Sequence, residues 1–183
     1  MVSCNDADGA VTGNTRTYAA SLEKINKVIN ARPGEIMFGL NMIVSKGKTV
    51  FIGDTSVHEH PTAEQLTEIA ISSARVVRLF GFNPKVAFVS HSTFGQPATS
   101  STKHIRDAVE ILQDKKVDFQ FDGDMQPDVA LNEEYKELYS FSGIVGNANI
   151  LIMPDQHSAA ISYKMMKTLG DSKVIGPLLI GLG

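Results

Sequence analysis

The residues best suited to chemistry lie in one loop, inside the segment KVAFVSHSTFGQPATSSTKHIRDAV (85–109). The apolar run 86–89 predicts a buried strand, and a loop of hydroxyl and small residues separates it from a helical pattern. Because unpaired amide N–H groups and the helix dipole point at such a loop, this order of elements is suited to binding anions. It predicts a site for a phosphate-bearing ligand. Four loop residues are the candidates for ligand contact: Ser90, Ser92, Thr93 and Gly95.

The same loop has a plainer interpretation. Serine, threonine and glycine are common between strands and helices because they form turns and helix caps. The loop also lacks the glycine spacing of a P-loop or of a dinucleotide-binding fold. Both interpretations stay open on the sequence alone.

Acidic residues cluster downstream in FDGDMQPDVAL (121–131). Its carboxylates Asp122, Asp124 and Asp128 could bind magnesium or transfer protons. The alternative, which we favour, is a turn at Asp122–Gly123 followed by helix capping.

The remaining reactive residue types give no assignable catalytic centre. Of five histidines, His58 and His60 form an HEH triplet that lacks further ligands at metal-binding spacing, so no metal site is predicted. His91 lies in the phosphate-type loop. No nucleophile–base pair can be assigned, and the single cysteine, Cys4, excludes an intrachain disulfide.

Composition narrows the class of partner. The chain has 183 residues, 43% hydrophobic and 20% charged, with a formal net charge of -3. This charge argues against nucleic acid as a partner, and no apolar run reaches the roughly 20 residues of a membrane span. The first residues resemble no signal peptide, so we expect a cytoplasmic protein with a small-molecule ligand.

The candidate site residues must be positioned by strands and helices, whose patterns alternate along the chain. Helical periodicity predicts helices at 17–30, 61–80, 102–116, 127–139 and 156–169. Strand patterns occur at 10–13, 36–44, 49–53, 86–90, 119–121, 149–153 and 174–180, with SKGK forming a hairpin turn after the second. The alternation predicts a layered α/β fold with a largely parallel core sheet.

Six segments together resemble the phosphate acetyl/butyryl transferase (phosphotransacetylase) family and occur in its order. They are DADGAVTG (6–13), DTSVHEHPTAEQLTEIAISSA (54–74), KVAFVSHSTFG (85–95), DGDMQPDVAL (122–131), ANILIMPD (148–155) and IGPLLIGL (175–182). The resemblance implies a two-lobed three-layer α/β/α sandwich of the isocitrate-dehydrogenase-like type, incomplete at both ends. It implies a partial first lobe at 1–84, a second lobe at 85–176 and a truncated return strand at 177–183.

Within the family, the chain resembles the domain fused to the C-terminus of bacterial NADP-dependent malic enzymes. Active transferases carry a lysine where this chain has Phe94, an arginine and a proline where it has Glu23 and Lys24, and a glutamine where it has Ile180. The malic-enzyme branch carries the FG pair and the ISY triplet seen here at 94–95 and 161–163. Replacing an arginine by Glu23 reverses a charge that would attract acetyl phosphate.

The resemblance also implies a chemistry for the active branch. A general base deprotonates the CoA thiol, which attacks acetyl phosphate, while cationic and hydroxyl groups stabilise the oxyanion and the departing phosphate. The family carries its base and a serine–arginine pair just after the IGP strand, beyond Gly183. We therefore expect a non-catalytic piece, with catalytic residues unassigned.

The expected function is regulatory. Acetyl-CoA or acetyl phosphate would bind and shift the balance between oligomer states, with a malic enzyme catalytic domain in the parent chain and a homo-oligomer as the assembly. The loop and the resemblance together give the expected ligand site as Ser90, Ser92, Thr93 and Gly95, with Asp128 and Asp155 nearby. No cofactor is expected besides CoA or acetyl-CoA as ligand. The alternatives are an active phosphate acetyltransferase or butyryltransferase, and a decayed gene product without function.

Overall fold

One six-stranded mixed sheet organises the molecule, in a computed structural model that describes residues 2–4 and 6–183. The strands are β1 (Phe38–Ser45), β2 (Lys48–Gly53), β3 (Lys85–Val89), β4 (Gln120–Met125), β5 (Ile150–Ile152) and β6 (Lys173–Ile180). Their spatial order is β4-β3-β5-β2-β1-β6. Neighbours from β4 to β2 are parallel, whereas β1 runs antiparallel to β2 and β6. The carboxyl ends of four parallel strands therefore share one edge.

Helices cover both faces of the sheet. They are α1 (Tyr18–Asn26), α2 (Ala63–Leu79), α3 (Lys103–Lys115), α4 (Pro127–Leu131), α5 (Glu133–Glu137) and α6 (Gln156–Leu169), with short 3-10 turns at Val2–Cys4 and Ser100–Thr102. Adjacent strand residues face opposite layers, so Phe51 packs with α2 and α3 while Ile52 packs with α4 and α6. The predicted three-layer α/β arrangement is confirmed.

Local sequence explains why α2 is the most regular helix. The Thr62 side chain accepts from the Gln65 N–H, and the Gln65 side chain accepts from the Thr62 N–H, a complete capping box. Gly81, at φ +82°, follows the C-cap and ends the helix. Between these ends, Leu66, Ile69 and Val77 are buried against the sheet.

Three local predictions are wrong. No strand forms at 10–13, where the backbone adopts no regular secondary structure. The helix expected at 127–139 is two short helices, because Asn132 adopts an extended backbone between them. The turn expected at Asp122–Gly123 is instead part of β4 and pairs with Ala87 and Phe88.

The expected lobe boundary falls between strands of a single sheet. Region 1–84 supplies β1 and β2, and β2 pairs with β5 from region 85–176. The division into lobes stays a prediction. In the part of the chain that the structure describes, no helix is long and apolar enough to cross a membrane.

Candidate functional site

A cleft of about 280 Å³ opens at the carboxyl ends of β3 and β5. Its base is apolar, formed by Val89, Ile105 and Met153. Its walls carry five hydroxyls and one imidazole, from Ser90, His91, Ser101, Thr102, Ser158 and Ser162. No lysine, arginine, aspartate or glutamate occurs among the described residues that line it. Such a cleft can bind a ligand by hydrogen bonds and apolar contact.

The N-terminus of α3 supplies the electrostatic component of this cleft. Ser101 and Thr102 line the cleft, and Thr102, the N-cap of α3, makes no side-chain capping hydrogen bond. The 3-10 turn Ser100–Thr102 leads directly into α3, and the Lys103 N–H donates to Ser100 O, so what this helix end offers an anion is its dipole. The N-terminus of α6, on the other wall, differs because Asp155 Oδ1 accepts from the Ser158 N–H at 2.6 Å.

A fully buried carboxylate, Asp124, shapes the loop after β3. Asp124 Oδ2 accepts from the hydroxyls of Ser90, at 3.1 Å, and of Ser92, and its Oδ1 accepts from the Gly95 N–H at 2.9 Å. The Arg106 guanidinium lies 3.7 Å from Oδ2 and partly neutralises the carboxylate. These contacts fold the loop around Asp124 and leave Ser90 at the cleft wall.

The six residues predicted for the ligand site occupy different environments. Only Ser90 among them lines the cleft. Ser92 is fully buried on Asp124, and Thr93 is buried with Oγ1 accepting from the Gln126 N–H at 3.3 Å. Gly95 donates to Asp124 from a left-handed conformation, at φ +78°. These three residues shape the loop from within.

The two aspartates in that prediction accept hydrogen bonds from nearby backbone amides. Asp155 is the N-cap of α6, next to Pro154 and Ser158 of the cleft wall. Asp128 is exposed on α4, and its Oδ1 accepts from the Val129 N–H at 3.0 Å. The assignment of these residues to a ligand site stays a prediction.

Phe94 occupies the position where the resemblance gives active transferases a lysine. Its ring packs on Tyr139 and Phe141, with centroid separations of 5.4 and 4.8 Å. The backbone of Phe94 is left-handed, at φ 49°, an uncommon conformation for a bulky residue. The side chain thus belongs to an aromatic cluster and brings no positive charge to the loop.

A second buried carboxylate, Asp54, lies at the end of β2, at a strand edge where the sequence alone leaves a cleft residue and a turn residue both open. Asp54 accepts from the Gly39 and Ser56 N–H groups at 2.9 Å and from the His58 N–H at 2.8 Å. Its Oδ2 also lies 2.8 Å from His58 Nδ1. The sequence signal is a Gly-Asp pair directly after an apolar strand, at 53–54; the same pair recurs at 123–124, inside β4, and at 170–171.

Asp54 also influences a tyrosine beside it. The Tyr18 hydroxyl lies 3.0 Å from Ser56 Oγ. Burial raises the pKa of Tyr18, the Ser56 hydrogen bond partly opposes this, and the charge of Asp54 adds to the rise. Within the HEH triplet, His58 is bonded to the buried Asp54, whereas Glu59 and His60 are exposed. Among the described residues, no group of three metal-ligating side chains is found.

The family model and the curated relatives that match this chain point to one family. The model of the family described as phosphate acetyl/butaryl transferase matches residues 1–183. An NADP-dependent malic enzyme from Rhizobium meliloti is 46% identical over 182 residues, which are 100% of this chain and 24% of the malic enzyme. A phosphate acetyltransferase from Buchnera aphidicola is 34% identical over 177 residues, 96% of this chain and 25% of that enzyme. The chain thus spans about a quarter of these curated relatives.

Solved structures match the fold at full coverage of this chain. A phosphotransacetylase from Streptococcus pyogenes superimposes with a TM-score of 0.91 at 31% identity, the match covering 56% of that chain. The EutD phosphotransacetylase from Staphylococcus aureus gives 0.88 at 27% identity and covers 57% of that chain. These values confirm the fold that the resemblance implied.

Proposed function

The chain belongs to the phosphate acetyl/butaryl transferase family, and from this premise we propose that it is the phosphotransacetylase-like domain of an NADP-dependent malic enzyme. In this role it binds acetyl-CoA or acetyl phosphate and regulates the parent enzyme without transferring the acetyl group itself. The observation that carries the assignment is sequence identity: two malic enzymes, at 46% and 38%, stand above two phosphate acetyltransferases, at 34% and 32%, while four further malic enzymes lie at 32–36%.

The chemistry of the cleft supports binding rather than catalysis. The dipole at the N-terminus of α3 and the hydroxyls of Ser158 and Ser162 on the cleft wall suit a phosphate. Acyl transfer from acetyl phosphate to a thiol needs a base for the thiol proton and a cation for the oxyanion. Among the described lining residues, His91 is the one titratable side chain. Phe94, packed on Tyr139 and Phe141, supplies no positive charge for the departing phosphate.

Regulation requires that the ligand bind two states with different affinity. A homo-oligomer offers such states, because ligand contacts near a subunit interface change when subunits rotate. We extend the proposal to this assembly: the domain forms a homo-oligomer, and acetyl-CoA in the cleft shifts its equilibrium.

Calorimetric titration of acetyl-CoA into the chain tests the binding role. Ser162→Leu narrows the cleft from α6 without touching Asp124, and we expect it to weaken binding at least about tenfold. Ser140→Leu, an exposed serine outside the cleft, is the matched control and should bind as the unaltered chain does. Equal affinity for Ser162→Leu and the control, with both folded by circular dichroism, would exclude the cleft as the acetyl-CoA site.

The second candidate function is phosphate acetyltransferase or butyryltransferase. It is favoured by the TM-score of 0.91 to a phosphotransacetylase. The discriminating assay measures acetyl-CoA formation from acetyl phosphate and CoA by folded chain. Turnover that Ser162→Leu abolishes would establish the transferase, whereas binding without turnover supports the regulatory domain.

A further inference from the structure

A second groove, of about 440 Å³, lies at the amino ends of β2 and β5. It is bounded by the β1–β2 turn, the segment 147–149 and α6. The cleft described above opens at the carboxyl ends of β3 and β5, so the two openings lie at opposite ends of β5. We propose that this amino-edge groove binds a nucleoside phosphate whose base carries an amino group, a role that goes beyond the proposed function.

The floor of the amino-edge groove is apolar and of suitable size. Its apolar lining residues are Ile43, Val50, Leu131, Ala148 and Met166. A volume of about 440 Å³ falls within the range of small-molecule sites, which are mostly apolar with a few placed polar groups. A flat base stacked on Met166 and Leu131 would displace water from this surface, and the thioether adapts its shape to a ring.

One polar atom in the lining lacks a partner. The side-chain oxygen of Asn147 is buried and has no hydrogen-bond partner among the described residues. A buried acceptor without a donor is costly, so the site is suited to a ligand that brings an N–H group. The neighbouring Asn149 is different, because its oxygen accepts from the Lys85 N–H and its amide donates to Asn83 O, both at 2.8 Å.

Two lysines at the mouth supply positive charge. Lys46 and Lys48 are exposed, and neither amine has an ion-pair or hydrogen-bond partner in the part of the chain that the structure describes. No aspartate or glutamate occurs among the described residues lining the groove. In a chain of net charge -3, this is a local excess of cations that attracts phosphate.

The three features select the class of ligand together. A fatty acid would fit the floor and the lysines but leave Asn147 without a donor. Inorganic phosphate would bind the lysines but leave the apolar floor exposed to water. A base with an exocyclic amine donates to Asn147, covers the floor and directs its phosphate to Lys46 and Lys48.

Titration of the full chain with adenosine monophosphate tests the proposal. We expect saturable binding, at least about tenfold weaker for adenosine, which lacks the phosphate, and for ribose 5-phosphate, which lacks the base. Asn147→Leu should weaken nucleotide binding at least about tenfold by removing the acceptor. Lys46→Asn should weaken it several-fold, since asparagine tolerates the left-handed turn, at φ 48°, but carries no charge.

Lys116→Asn is the matched control, because Lys116 is also an exposed left-handed lysine, at φ 49°, and does not line the groove. It should bind nucleotide as the unaltered chain does. Absence of saturable binding would overturn the proposal. So would equal binding of ribose 5-phosphate, which indicates a simple anion site, or unchanged affinity in folded Asn147→Leu and Lys46→Asn. Because acetyl-CoA itself carries an adenine nucleotide, the separating variant is Ser162→Leu, which alters the cleft and not the groove and should leave adenosine monophosphate binding unchanged.

Discussion

The buried carboxylate of Asp124 holds the loop after β3 through two hydroxyls, one amide N–H and the nearby Arg106 guanidinium. A carboxylate offers acceptors to all of these groups, whereas an amide offers one oxygen and directs an NH₂ group at the other donors. Asp124→Asn should therefore lower the free energy of unfolding by about 2 kcal/mol. Urea unfolding followed by circular dichroism measures this change.

Asp128→Asn provides the comparison for that experiment. Asp128 is exposed and its carboxylate accepts only from the adjacent Val129 N–H among the described contacts. The expected change is within about 0.5 kcal/mol. If both variants lose the same stability, the hydrogen bonds to Asp124 do not hold the loop as described.

At the residue scale, the sequence predicted a loop of hydroxyl and small residues after β3, and the structure shows which of its side chains are buried. The small and hydroxyl residues after β3 do border a cleft, and Ser90 lines it. Ser92 points inward to Asp124, 32 residues away along the chain, and Thr93 accepts from the Gln126 N–H, 33 residues away. A contact across two parallel strands leaves no local pattern, so burial of these hydroxyls could not be predicted.

At the element scale, the periodic segments were predictable because they carry their own start and stop signals. The hairpin of β1 and β2 and the capped helix α2 form as the turn and cap residues indicate. Segment 127–139 was mispredicted because the break at Asn132 comes from tertiary packing, with the Ala148 N–H donating to Ala130 O at 2.9 Å.

An ion pair joins the entry of β1 to α2 and makes stability depend on pH. Arg75 Nη1 on α2 lies 2.8 Å from Glu35 Oε1. The Arg75 hydrogen bond lowers the pKa of Glu35 below its ordinary 4.5, burial opposes this, and the charges of Arg75 and Arg32 lower it further. A lowered pKa in the folded state means that stability is present above the unfolded pKa and is lost as pH falls through the folded pKa.

We predict that Glu35→Gln removes this part of the acid-dependent loss of stability. Urea unfolding between pH 3 and pH 7 should show a shallower decline below about pH 4.5 in the variant. Glu23→Gln, in an exposed pair with Lys27 on α1, serves as control and should leave the decline unchanged. A slope in Glu35→Gln equal to that of the unaltered chain would contradict the prediction.

At the scale of the whole molecule, the resemblance to phosphotransacetylases predicted more of the fold than the residue patterns did. Alternating strands and helices predicted a layered α/β fold, but the mixed sheet order β4-β3-β5-β2-β1-β6 depends on which strand each crossover reaches. Hydrophobic periodicity gives the buried face of a strand and not its neighbour. The resemblance to phosphotransacetylases implied the layered fold without this strand order, and the TM-scores of 0.88 and 0.91 confirm the fold.

An exposed apolar stripe on α6 supports the proposed homo-oligomer. Ile161, Met165 and Leu169 are 58%, 56% and 80% exposed. Their spacing of four residues puts them on one helix face, and contiguous exposed apolar surface is typical of an interaction site. We predict that Ile161→Glu with Met165→Glu weakens self-association at least about tenfold, because two carboxylates would be buried at the interface.

Light scattering across a concentration series measures this change, with a protomer of 19.8 kDa as the lower limit of mass. Lys167→Glu, on the other flank of α6, tests whether any added negative charge has the same effect. It should leave the mass unchanged, since its side chain lies outside the stripe. A double variant that keeps the mass of the unaltered chain would show that α6 does not form the interface. In that case the edge strand β6 becomes the surface to alter next, because its outer backbone groups have no neighbouring strand among the described residues.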